Sequence, residues 1–257
     1  MTAALLLGAG IGVMLGLFGG GGSLLAVPAL LYGVGMPLST AVPTSLLVVG
    51  VSSAAAVLPR LRFRQVQWRI AAVFGLAGAV SAFAGSVVNR LLDPQLVLLG
   101  FATLMVAAAI RMLREPPDAG GDCALPGGKV DWRRCLPKAI GAGAAVGFLT
   151  GLFGVGGGFL VIPALVLLLG LPMTVAVGTS LVVIVINSAA GFFAYLGDAR
   201  LDYEVALAFT ASAILGSLVA ARVARRWPAE RLRRWFALFV LAVATLVVVH
   251  VALDPSG

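Results

Sequence analysis

Residues 16–30 read "GLFGGGGSLLAVPAL", and residues 151–165, 135 positions later, read "GLFGVGGGFLVIPAL". A glycine run suggests a phosphate loop, but a Walker motif needs a lysine and a serine or threonine after its last glycine, and here the chain continues into "LLAVPALL". Soluble nucleotide binding is therefore excluded. Consecutive glycines break a helix and bare its amides, which a membrane tolerates only where protein or a water-filled cavity covers them. The rest of the chain supplies that membrane setting. Of 257 residues, 61% are hydrophobic and 11% charged, with a mean hydropathy of +1.09, against about 25% charged residues in soluble domains. Residues 1–59 and 139–197 contain no Asp, Glu, Lys or Arg. At roughly 20 apolar residues per crossing, each block holds two or three membrane segments.

The two glycine runs belong to a long internal repeat. Laying residues 12–56 on 147–191 without a gap gives 22 identities in 45, among them Gly16/Gly151, Phe18/Phe153, Pro28/Pro163 and Thr44/Thr179. The repeats run over 1–115 and 137–257, joined by a linker at 116–136, most of it in "EPPDAGGDCALPGGKVDW" (115–132). Apolar segments are expected near 2–18, 23–35, 40–58, 69–89 and 95–113, and again near 138–154, 158–170, 174–196, 203–221 and 232–252. The first two of each half are short for a crossing.

Charge decides how these segments are counted. Taking each glycine-linked pair as one bent helix puts "PRLRFRQVQWR" (59–69) and "RVARRWPAERLRR" (222–234) on opposite sides of the membrane. Counting each pair as a hairpin gives five segments per half. Both basic loops and the linker then share the cytoplasmic side, while "NRLLDP" and "GDARLDYE" lie outside. An odd count per half inserts the second half upside down, with both termini outside. The fold class is accordingly all-α, a polytopic membrane protein of two inverted-topology repeats with about five helical segments each. The first two of each are short, broken or re-entrant around the glycine-rich break.

The net charge of +8 resides in loop arginines, the positive-inside pattern, so no nucleic-acid partner is expected. "MTAALLLGAG" lacks the basic start of a signal peptide and reads as a retained first segment. Cys123 and Cys135 stand with no histidine nearby, too few ligands for zinc, and a disulfide is not expected of a cytoplasmic linker. His250 reads as an interfacial residue, and Arg69 and Arg90 as snorkelling side chains.

Candidate binding residues cluster at the breaks. The segments restarting at Ser23 and Gly158 aim their first amides and the positive ends of their dipoles at the breaks, which attracts anions without a cationic side chain. A purely structural turn is the alternative. Glycines spaced four apart, as at Gly8, Gly12 and Gly16, are explained by close helix packing. Pro43 and Gly178 precede Thr44-Ser45 and Thr179-Ser180 in "AVPTSLLVV" and "AVGTSLVVI", where hydroxyls either meet a ligand or bond back to their own helix. Ser52, Ser53, Asn187 and Ser188 follow two turns on, and Asn187 belongs inside the bundle. Neither charge-free block holds a carboxylate or histidine for a proton relay, and no nucleophile with a base partner is visible.

At these residues the chain resembles the TauE/SafE family of sulfite exporters, over nearly its whole length. The resemblance implies movement of sulfite, sulfonates or related small sulfur-containing anions across a prokaryotic cytoplasmic membrane. The expectation is a multi-pass secondary transporter working by alternating access, with export favoured. An anion channel, a cation-coupled importer and, less readily, an intramembrane enzyme remain alternatives. The candidate substrate-binding residues are Gly20, Gly21, Gly22, Ser23, Thr44, Ser45, Gly156, Gly157, Gly158, Thr179, Ser180 and Asn187. No cofactor, metal site or catalytic residue is expected. The partners expected are a small anionic substrate and the lipid bilayer, with a homo-oligomer left open.

Overall fold

A computed structural model describes residues 2–61, 65–89, 91–114, 132–153, 158–195, 203–224 and 227–253, and every regular element among them is helical. The first half holds α1 (Thr2–Phe18), α2 (Gly21–Pro28), α3 (Leu38–Leu61), α4 (Trp68–Asn89) and α5 (Pro94–Arg114). The second holds α6 (Trp132–Phe153), α7 (Gly158–Pro163), α8 (Met173–Tyr195), α9 (Tyr203–Ala224) and α10 (Ala229–Leu253). Among the described residues, seven helices are long and apolar enough to cross a membrane, within α3, α4, α5, α6, α8, α9 and α10, while α1, α2 and α7 are shorter apolar helices.

One expectation is corrected. The first segment of the second half is not short, because α6 runs 22 residues from Trp132. The charged stretch at 132–138 put the expected start at 138, yet that stretch is helical. Proline leaves the same mark in both halves. Pro28 and Pro163 have no N–H to continue the i→i−4 ladder, and after each the chain widens into one π-helical turn, Ala29–Gly33 and Ala164–Leu168. Gly35 (φ +78°) and Gly170 (φ +67°) end the two segments in the left-handed region.

Small residues set the packing. Along α1, a Cβ on Gly8, Gly12 or Gly16 would run into Phe209, Ala213 and Ser217 of α9. Along α6, Gly143, Gly147 and Gly151 meet Phe74, Gly78 and Ala82 of α4 in the same way. Each half's first helix therefore packs on the other half's fourth, backbone to backbone. In lipid, such contacts stabilise through van der Waals packing rather than water exclusion. Helices α3 and α8 form the centre. Gly50 lies against Ser188 and Gly191 against Leu46, so the two cross antiparallel. Their apolar windows are 56% and 50% buried, against 28–39% in α4, α5, α6, α9 and α10. Those five present Phe83, Leu96, Ile140, Leu207, Leu215 and Leu246 outward, as a lipid-facing surface does.

Candidate functional site

The first glycine run divides its labour. Gly19 (φ +71°) closes α1 in the left-handed region and donates its N–H to Leu15 O at 2.8 Å. Gly20 (φ −126°) precedes α2, and no side chain caps that helix. The space beside each glycine is occupied by protein. A Cβ on Gly20 would collide with the Gly158 carbonyl; on Gly21 it would touch the Phe239 ring at 3.1 Å; on Gly22 it would sit 2.5 Å from Ile11 O. The first break thus faces the start of α7, and Gly21 and Gly22 also serve packing onto α10 and α1. Gly156 and Gly157 lie outside the described residues.

The contact between the starts of α2 and α7 explains a sequence difference. Ser23 and Gly158 are equivalent in the repeat, and a Cβ on Gly158 would lie 2.7 Å from Ser23 Oγ and 2.8 Å from Ile184 Cδ1. A serine in both copies would overfill the junction. Ser23 Oγ donates to Gly20 O at 2.8 Å.

The Thr-Ser pairs are wholly or almost wholly buried, but their hydroxyls differ in use. Ser45 Oγ donates to Val42 O at 2.7 Å and Ser180 Oγ to Val177 O at 2.9 Å, the local back-bonding left open by the sequence. Those two serines retain only acceptor lone pairs for anything else. Thr179 Oγ1 accepts the Gln67 N–H at 3.1 Å. Thr44 Oγ1 is buried without a hydrogen-bond partner among the described residues. So are Ser52 Oγ, Ser53 Oγ and Asn187 Oδ1. Repeat numbering pairs Ser52 with Asn187 and Ser53 with Ser188, and the Gly50–Ser188 contact places this group at the α3–α8 crossing. Asn187 is half-buried with its oxygen enclosed, so it lies within the bundle as expected.

Two residues escaped the sequence reading. Arg60 counts there as a loop arginine, yet it sits on α3, 2% exposed, and donates Nη2 to Gly16 O at 2.8 Å. Its signal was helical spacing, since Ser53, Val57 and Arg60 share one buried face. Gln65 lies between α3 and α4: its N–H bonds Arg60 O at 3.3 Å, its carbonyl presses on Gly178, and its side-chain Oε1 is buried with no partner among the described residues. Nothing in a single sequence marked that contact. Cys135 is buried and disulfide-bonded, contrary to the expectation for the linker, and Cys123 lies outside the described residues. No cluster of metal-ligating side chains occurs among the described residues.

Comparison with known proteins agrees with this architecture. Residues 4–247 match the family described as sulfite exporter TauE/SafE, and the chain belongs to that family. A "Probable membrane transporter protein" of Xylella fastidiosa strain 9a5c is 35% identical over 247 residues, covering 93% of this chain and 91% of the relative. The "Probable membrane transporter protein YunE" of Bacillus subtilis is 26% identical, covering 84% of each. The "Probable membrane transporter protein MJ0441" of Methanocaldococcus jannaschii is 31% identical, covering 72% and 68%. No solved structure matches. The chain is a multi-pass membrane protein of a transporter family, and the names of its relatives describe transporters rather than enzymes.

Proposed function

We propose that this protein is a secondary transporter that exports a small sulfur-containing anion, sulfite or an organosulfonate, across the cytoplasmic membrane. The observation that carries the reading is the set of enclosed, unpartnered polar atoms on α3 and α8: Thr44 Oγ1, Ser52 Oγ, Ser53 Oγ and Asn187 Oδ1. An unpaired polar group in a membrane bundle costs about 1–3 kcal/mol, and such groups are retained where a ligand or water completes them. Hydroxyls donate to sulfite or sulfonate oxygens, and Asn187 turned about its last torsion offers its NH2 instead. The amides at Gly20–Ser23 and Gly156–Gly158 remain donor candidates as well.

Alternating access is supported by the antiparallel crossing of α3 and α8, which are equivalent segments of the repeat, and by the exchange of fourth helices between halves. With the inside negative, each exported negative charge gains roughly 2.3 kcal/mol per 100 mV, so export needs no coupling ion.

The test is flux of labelled sulfite and sulfonates in proteoliposomes, comparing wild type with Thr44→Val and Thr179→Val. Saturable flux is expected in wild type, lowered by about tenfold in Thr44→Val, a loss of about 1.4 kcal/mol. Wild-type rates in both folded variants would remove the hydroxyls from the site. Unitary single-channel currents would replace the carrier by a channel, and uptake that collapses without Na⁺ or a pH gradient would reverse the direction.

A further inference from the structure

The transport reading leaves a buried cation unused. Arg60 lies two turns after Ser53 on the same enclosed face of α3. Its Nη2 is held by the Gly16 carbonyl, its Nε has no acceptor, and among the described residues no carboxylate pairs with it. One carbonyl dipole does not balance a guanidinium, and an unbalanced charge inside a membrane bundle marks a ligand path. Its surroundings are those of the first break. Gly19, three residues past Gly16, abuts Ser180, and the turn after Arg60 seats Gln65 on Gly178 and Gln67 on Thr179. A second buried guanidinium, Arg233 with Nε unpartnered, lies one turn before Phe236, whose ring meets Phe18 at the end of α1. Both cations therefore lie on helices that touch the last turn of α1, α3 through Arg60 and α10 through Phe236. At the corresponding end of α6 the tie is neutral, Asn89 Nδ2 to Leu152 O at 2.6 Å.

We propose that Arg60 is an anion-binding residue whose guanidinium fork pairs with two oxygens of a sulfite or sulfonate group as it passes the first glycine break. This rests on the transport reading and adds to it the residue that supplies the counter-charge. A planar fork matches two oxygens of one oxyanion, whereas an ammonium offers only a point charge.

The test uses purified full-length protein, with the sulfite-dependent rise in melting temperature as binding readout and labelled sulfite flux in phosphatidylethanolamine–phosphatidylglycerol vesicles. Arg60→Gln is expected to abolish the sulfite-dependent rise and the flux. Arg60→Lys is expected to keep the ligand-free melting temperature while sulfite affinity falls about tenfold, because the fork is lost. Arg234→Gln, an exposed residue paired with Glu230, serves as the control and should bind as wild type does. Wild-type sulfite affinity in Arg60→Gln, or in Arg60→Lys should the glutamine variant not fold, overturns the proposal and leaves Arg60 as a clamp on α1. If wild type itself neither binds nor moves sulfite or sulfonates, the transport reading fails instead.

Discussion

The two glycine breaks come from one duplicated motif, yet they are held in place by different chemistry. The helix leading into the first, α1, is tied at Gly16 O by the Arg60 guanidinium, and the helix leading into the second, α6, is tied at Leu152 O by the Asn89 amide. The Thr-Ser pairs diverge in step. Thr179 is occupied by the Gln67 N–H while Thr44 is unpartnered, and Gly178, which admits the Gln65 carbonyl, stands where the first half has Pro43. The Thr-Ser pairs are identical in sequence, so their different hydrogen bonding comes from what packs against each half: Gln67 reaches Thr179, and no described residue bonds the Thr44 hydroxyl.

The sharpest way to break this comparison is to make the second half imitate the first. Gly178→Pro drives ring atoms into the Gln65 carbonyl and removes a helix-interior N–H, a loss of about 3 kcal/mol or more. Folded protein recovered by size-exclusion chromatography should fall severely, while Pro43→Gly should change stability by about 1 kcal/mol or less. Equal recovery of both variants would show that the Gln65–Gly178 contact is incidental.

A smaller effect is expected where the starts of α2 and α7 meet. Gly158→Ser overfills the space beside Ser23 Oγ and Ile184, at about 1–3 kcal/mol. Adding Ser23→Gly should recover much of the loss in melting temperature, because the two residues contact each other. Additive losses would mean that Ser23 and Gly158 do not meet as described.

A last effect, no larger than that at Gly158, separates the two threonines by stability. Thr179→Val leaves the Gln67 N–H without its acceptor and should cost about 1–3 kcal/mol, whereas Thr44→Val removes an unpaired hydroxyl and should be neutral or stabilising. Matching melting temperatures for the two variants would erase the asymmetry.

Much of the architecture was legible in the residues. Charge-free blocks gave the membrane, the 135-residue repeat gave the segment order, and Gly8, Gly12 and Gly16 announced the close contact of α1. The partner of that contact was not legible, since nothing in α9 says that it leaves its own half to pack on α1. Asn187 was placed inside the bundle because its polarity is costly in lipid. Ser45 and Ser180 were indistinguishable from their threonine neighbours until their hydroxyls were seen to bond their own helix. Arg60 was read as a loop arginine because positive-inside counting treats every arginine near a span as solvated, and burial depends on what packs over it.

By itself the sequence determined an all-helical membrane protein, its duplicated segments, the helix breaks and the family. Periodicity, charge placement and glycine runs are local properties, and the bilayer reads them locally. Only the tertiary structure decided that the first break faces the start of α7, that Ser23 requires Gly158, that Thr179 is occupied and Thr44 is not, and that Arg60 is enclosed. Each of those depends on two backbones approaching from opposite halves of the chain, and packing across more than a hundred residues leaves no periodic trace in either segment alone.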